Sequence, residues 1–226
     1  MDIKDLKLEI IEAYGIMVYQ DPKYFKFGVD AFCLANFTRE FIKKKYDYID
    51  LCSGTGIVGI LTSKMLSIPN PIFVEINPYF AKINEKNLEI NEIEGKVYNE
   101  DLARLGEHCP RESIDFMTIN PPYMLPNRGL KTRDTNIDLA KIERDDAFLE
   151  DVFSIAHKIL RDKGQLFMVH RVERLADIFY QSRIHKMEAK TIQYIRNKGS
   201  SKASLVLIRF VKNSNRFLNN LDDYII

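Results

Sequence analysis

The chain has 226 residues, 46% hydrophobic and 29% charged, with 33 Lys and Arg against 32 Asp and Glu for a net charge of +1. That balance excludes disordered and fibrous classes and fits one globular domain with an appendage. Three cysteines (Cys33, Cys52, Cys109), odd in number and far apart, argue against a disulfide scaffold or a thiolate metal site.

The acidic, mixed start Met1-Asp2-Ile3-Lys4-Asp5 is unlike a secretory leader. No uncharged apolar run approaches the ~20 residues of a membrane helix, so a cytoplasmic protein with neither membrane nor metal partner is expected. Residues 1–45 read as an N-terminal extension holding a short β piece, Ile16–Gln20, and a helix over Ala31–Lys43. Residues 46–226 form the main domain. Its strands are expected at Tyr46–Leu51, Ile72–Ile76, Lys96–Asn99, Ile114–Ile119 and Gln165–His170. Helices are expected at Ile57–Leu66, from Asn77-Pro78 to about Asn91, at Phe148–Leu160 and at Glu173–Gln181. Two β-rich runs, Thr191–Ile195 and Ser204–Val211, flank Asn197-Lys198-Gly199-Ser200-Ser201-Lys202 and read as a closing hairpin. Strands alternating with helices argue a doubly wound, mostly parallel α/β sheet, and the hairpin adds an antiparallel edge strand.

Charge is unevenly placed. Tyr180–Phe217 carries nine Lys and Arg against one Glu, a net of +8 that leaves −7 for the rest. A polyanion footprint and a solvated strand face with protective lysines both account for it.

In an open α/β sheet ligands bind at the carboxyl ends of the strands. The first main strand runs into Asp50-Leu51-Cys52-Ser53-Gly54-Thr55-Gly56-Ile57-Val58-Gly59, which satisfies G-x-G-x-x-G between strand and helix. Alone this does not separate dinucleotide enzymes from other users of nucleoside cofactors. Asp50, at the loop's entry, would repel a pyrophosphate and welcome a cationic amino group such as that of S-adenosylmethionine. Glu75, ending the second strand, can accept both ribose hydroxyls, and Asp101, beyond the third, can receive an adenine amine. Three acids at successive strand ends favour the sulfonium cofactor over a dinucleotide.

The fourth strand ends in Asn120-Pro121-Pro122-Tyr123. Asn120 offers a carbonyl acceptor, the prolines lack N–H groups and free a backbone carbonyl, and Tyr123 supplies a stacking ring. Such a receptacle suits a planar amine, adenine's exocyclic nitrogen or an amide nitrogen. The bland alternative is a Pro-rich turn.

Together these residues resemble class I S-adenosylmethionine-dependent amino-methyltransferases carrying N-P-P-Y. Within that group the chain resembles bacterial tRNA (adenine-N(6))-methyltransferases acting on the adenosine beside the anticodon of valine tRNA. The similarity runs through residues 25–35, the Asp50–Gly56 loop, Val74-Glu75-Ile76, Asn120–Tyr123 and residues 168–175. It implies a Rossmann-like sheet of seven strands with the last antiparallel. It also implies that Phe27, Gly28 and Asp30 cover the methionine end of the cofactor, with Cys52, Ser53, Gly54 and Gly56 cradling it. By composition Asp30 is only a helix N-cap. His170 and Arg171 end the fifth strand beside the site, as substrate contacts or as capping and packing residues. For a tRNA partner, Arg128, Lys131 and Arg133 would guide an extruded base, and Lys198 and Lys202 would grip phosphates. A monomer is the favoured state. Competing readings are a release-factor glutamine methyltransferase, a DNA adenine methyltransferase and a non-catalytic RNA-binding module.

Overall fold

The computed structural model describes residues 6–24, 27–43, 46–121 and 145–226. Its main sheet is organised by short strands buried on both faces, β3 (Tyr48–Leu51), β4 (Ile72–Val74) and β6 (Ile114–Ile119). Such strands need helices on both sides, which right-handed crossovers supply. Around them lie β5 (Lys96–Tyr98), β7 (Leu160–Arg171), β8 (Met187–Arg196) and β9 (Leu205–Lys212). Two two-residue strands, β10 (Asn219–Asn220) and β11 (Tyr224–Ile225), pair in parallel with β8 and extend the sheet from the expected seven strands to nine among the described residues. The order is β10-β8-β9-β7-β6-β3-β4-β5. Strand β9 runs antiparallel to both β7 and β8, so the expected antiparallel element lies in the edge hairpin, one place in from its outer strand.

Alternate residues feed two cores. Tyr48, Phe116, Phe167 and Leu207 pack against α1 (Val29–Phe41) and α2 (Ile57–Leu66), and α3 (Pro78–Ile90) adds Leu88. Ile49, Met117, Met168 and Ile208 face α4 (Asp145–Ile159) and α5 (Leu175–Ile184). Helix α3 begins as its sequence dictates. The Asn77 side chain accepts from Tyr79 N–H at 2.9 Å and Pro78 takes the first turn.

The N-terminal part differs most from expectation. Ile16–Gln20 (β2) is indeed a strand, but Lys7–Ile11 (β1) pairs with it in a separate two-stranded sheet. Helix α1 starts at Val29 with Gly28 at the N-cap, so Asp30 lies inside the first turn and is not the cap.

Candidate active site

Register places the site. Leu51 pairs with both Val74 and Ile119, and Val74 pairs with Tyr98. Four adjacent parallel strands therefore end at one level, and the segments leaving them emerge side by side, ~4.8 Å apart from strand to strand. Those segments are the glycine loop, Glu75, the Asn99–Asp101 stretch and Asn120-Pro121.

The loop folds through three left-handed residues, Cys52, Gly54 and Gly56, at φ 51°, 53° and 90°. At Gly56 a Cβ would fall inside the Asn84 amide. A Cβ at Gly59 would overlap the Phe73 ring, so α2 packs onto β4 closer than any side chain permits. The Ser53 N–H donates to Val74 O at 3.0 Å, and its hydroxyl accepts from Asn84 Nδ2 at 3.0 Å.

Asp50 leads into this loop from β3. It is 1% exposed, its Oδ2 accepting Gly59 N–H at 2.9 Å and its Oδ1 accepting Thr118 Oγ1 at 2.6 Å. Thr118 in turn meets the Tyr48 hydroxyl at 2.5 Å. Burial pushes the Asp50 carboxyl up to about 7, opposed by these hydrogen bonds. These bonds tie Asp50 to α2 and β6, a framework role beside the amino-group contact expected from the sequence.

Glu75 is the acid at the mouth. Its Oε2 accepts Gly54 N–H at 2.7 Å and its Oε1 accepts Asn77 N–H at 2.8 Å. Burial raises its pKa, countered by these backbone donors. Each carboxylate oxygen has a second lone pair, so a diol can be received without undoing the frame. Asn99, which sequence reading passed over, donates to Glu75 O at 2.9 Å and Ile76 O at 3.0 Å and so holds the segment level. Ile76, also missed, is 41% exposed beside Glu75 and offers an apolar face to a flat base. Asp101 caps a 3-10 turn, its Oδ1 accepting Ala103 N–H at 3.1 Å. Burial and the charges of Glu75, Asp50 and Asp101 push the Cys52 thiol well up. It is a packing group here, not a nucleophile.

Asn120 Nδ2 donates to Asp30 Oδ2 at 3.2 Å, which turns the amide oxygen away from Asp30. Gly28 lies against the same carboxylate, where a Cβ would collide with Asp30 Oδ1. Phe27 N–H donates to Gln20 Oε1 at 3.2 Å. The segment 27–30 thus sits beside Asn120, 90 residues away in sequence. Pro122 and Tyr123, with Arg128, Lys131 and Arg133, lie outside the described residues.

His170 is fully buried, its Nδ1 accepting Arg171 N–H at 2.8 Å, which gives it a packing and orienting role. Arg171 is exposed and pairs with Glu173 at 3.3 Å. The basic C-terminal segment divides. Lys212, 3% exposed, binds Glu112 at 2.9 Å and Leu160 O at 2.7 Å. Arg209 lies over the Phe41 ring at 4.4 Å, Arg196 pairs with Asp223 at 2.9 Å and Lys190 reaches Asn215 O at 2.9 Å. Arg183 pairs with Glu188. These hold the sheet together. Lys198 and Lys202, exposed on the β8–β9 turn, have no ion-pair partner among the described residues.

A methyltransferase small domain profile matches residues 30–191, about 70% of the chain. The chain belongs to the methyltransferase small domain family. No curated protein matches this methyltransferase in sequence. Its fold is that of a predicted O-methyltransferase from Agrobacterium tumefaciens (20% identity, 87% of this chain and 86% of that one, TM-score 0.68). It is likewise similar to M. jannaschii TYW2 in complex with AdoMet (11%, 94% and 89%, 0.61) and to a Pyrococcus horikoshii protein described as an RNA methyltransferase (19%, 84% and 86%, 0.60). The family's methyl donor is S-adenosylmethionine, and the site fits it, with an open glycine loop, a fixed carboxylate that can accept a diol and an exposed apolar face beside it. Among the described residues no group of His, Cys, Asp or Glu can hold a metal, and no helix is long and apolar enough to cross a membrane.

Proposed function

We propose that this methyltransferase transfers the methyl group to the exocyclic amine of adenine in RNA, specifically tRNA, with the adenosine beside the anticodon of valine tRNA as the acceptor. The observation that carries the reading is the pairing of Leu51 with Ile119, which sets Asn120 next to the donor cradle at one level of the sheet. Bound there, S-adenosylmethionine supplies an electrophilic methyl carbon on a sulfonium sulfur.

The chain's own residues do the rest by positioning. Asp30 holds the Asn120 amide nitrogen, so that the Asn120 carbonyl accepts an N–H of the incoming amine and aims its lone pair. Pro121 adds a backbone carbonyl, and together these acceptors stabilise the positive charge that grows on nitrogen as the N–C bond forms and the C–S bond breaks. The amine's surplus proton leaves to water, so no strong general base is required. Exposed Arg171, Lys198 and Lys202 at the same end of the sheet favour a polyanionic acceptor over a protein amide.

The test offers labelled S-adenosylmethionine with total tRNA, duplex DNA and release factor in parallel, followed by nucleoside and amino-acid analysis. Label recovered as N6-methyladenosine from tRNA supports the reading. Label recovered only as methylglutamine, or only in DNA, replaces it.

A further inference from the structure

Strand β2 shows one edge to β1, and its other edge is paired by a helix. Asn91 Oδ1 accepts Met17 N–H at 3.0 Å while its Nδ2 donates to Met17 O at 2.5 Å. One turn earlier, Asn87 Oδ1 accepts Tyr19 N–H at 2.6 Å and its Nδ2 donates to Tyr19 O at 3.1 Å. Each side-chain amide reproduces the donor and acceptor that a neighbouring strand would present. The spacing permits it, since four residues of helix advance ~6 Å and two residues of strand ~6.8 Å.

The column continues into the site. Asn87 Nδ2 also donates to Thr55 O at 2.9 Å, in the glycine loop. Asn84, three residues earlier, holds Ser53 Oγ and lies under Gly56. Strand β2 ends at Gln20, whose Oε1 accepts from Phe27 N–H, and the chain then reaches Asp30 against Asn120. Asn87 alone in the column touches both hairpin and loop. Both its amide hydrogens are used, and the Asn carbonyl takes the third bond.

We propose that Asn87 is a positioning residue that makes docking of the N-terminal hairpin and binding of the methyl donor one coupled equilibrium, each strengthening the other. This rests on reading the glycine loop as the donor site. Coupling of this kind is reciprocal: whatever the docked hairpin adds to donor affinity, the donor returns as protection of the hairpin.

The experiment uses the full chain with S-adenosylhomocysteine as probe, reading affinity by calorimetry and exchange of the Met17 and Tyr19 amide hydrogens with and without probe. In the unaltered protein, saturating probe slows both amides about tenfold or more. Asn87→Asp keeps size and the acceptor to Tyr19 but loses both donors, and it binds the probe about tenfold more weakly with the added protection gone. Asn91→Ala speeds Met17 exchange by a similar loss of hairpin contacts yet stays within about threefold of the original affinity, because it does not reach the loop. If probe binds the unaltered protein but leaves both amides unchanged, or if Asn87→Asp binds it with undiminished affinity, the coupling is refuted. If the unaltered protein does not bind the probe, the donor-site reading itself falls.

Discussion

Replacing Asp50 by Asn should make this protein more stable, by a margin that grows as pH rises from about 4 to about 7. Asp50 is buried with its two oxygens on Gly59 N–H and Thr118 Oγ1. When it is ionised, the chain of donors runs from Tyr48 to Thr118 to Asp50. When it is protonated, the chain reverses, with Asp50 donating to Thr118 and Thr118 to Tyr48, and no heavy atom has to move. An Asn side chain satisfies the second pattern, its Oδ1 on Gly59 and its Nδ2 toward Thr118. The two proteins then differ in whether a charge is buried. Burial raises the Asp50 pKa from 3.8 to about 7. The folded state therefore binds more protons than the unfolded chain between those values, and stability falls as pH rises through that window. From pH 5 to pH 8 the loss is about 2.5 kcal/mol, and it vanishes in Asp50→Asn. Titrations shared by both proteins cancel in the comparison. With a urea slope of about 2–3 kcal/mol per molar, the variant's advantage in midpoint should grow by about 1 M between pH 5 and pH 8. A midpoint difference that stays constant across this range would refute the reasoning, because the carboxyl would then not be titrating with a raised pKa in the folded state.

Gly59→Ala should cost about 1–3 kcal/mol in denaturant unfolding, since the new methyl meets the buried Phe73 ring and α2 must lift from β4; unaltered stability would mean the ring moves freely. Asn120→Ala should keep donor affinity within a fewfold in calorimetry and lower the methyl-transfer rate constant by about 100-fold or more, because only the acceptor amine loses its orientation. Equal turnover would remove Asn120 from the chemistry. Lys198→Ala with Lys202→Ala should reduce the slope of log affinity for tRNA against log salt by up to about 2, with little change in thermal stability, since neither ammonium has an ion-pair partner among the described residues. An unchanged slope would take the hairpin off the RNA path.

The glycine loop, Glu75 and Asn120 stand out in the sequence because each comes directly after an apolar run, with Asp101 three residues beyond Tyr98, and the ends of parallel strands converge wherever those runs share a sheet. The partners of these residues are not legible. Thr118 lies in IDFMTI as an unremarked polar residue, and its hydroxyl acquires a purpose only when Asp50 pairs with it across β3 and β6. Asn84, Asn87 and Asn91 read as polar positions on an amphipathic helix, since nothing in their spacing says that a strand edge faces them. The +8 segment misleads for a related reason. Composition records the charge on Lys212 and Arg196 but not Glu112 and Asp223, which neutralise them from 100 and 27 residues away. Strand β1 escapes notice because Lys7–Ile11 alternates weakly and pairs with β2 alone.

Under the proposed function the carboxyl end of the sheet must receive two ligands of opposite charge, a sulfonium donor and a phosphate-rich acceptor. Asp30, Glu75 and Asp101 gather around the strands β3 to β6, and that acidity would repel RNA if it were spread evenly over this end. The turn with Lys198 and Lys202 rises instead from β8 and β9. Two strand spacings, ~10 Å, separate β9 from β6, which is about one Debye length at physiological ionic strength. The lysines can therefore attract phosphates without being cancelled by the acids, and the acids can hold a cation without being masked by the lysines. An acceptor whose backbone lies on the hairpin while one unstacked base reaches across β7 to Asn120 satisfies both fields at once, which a compact amide-bearing protein loop of neutral charge would not require.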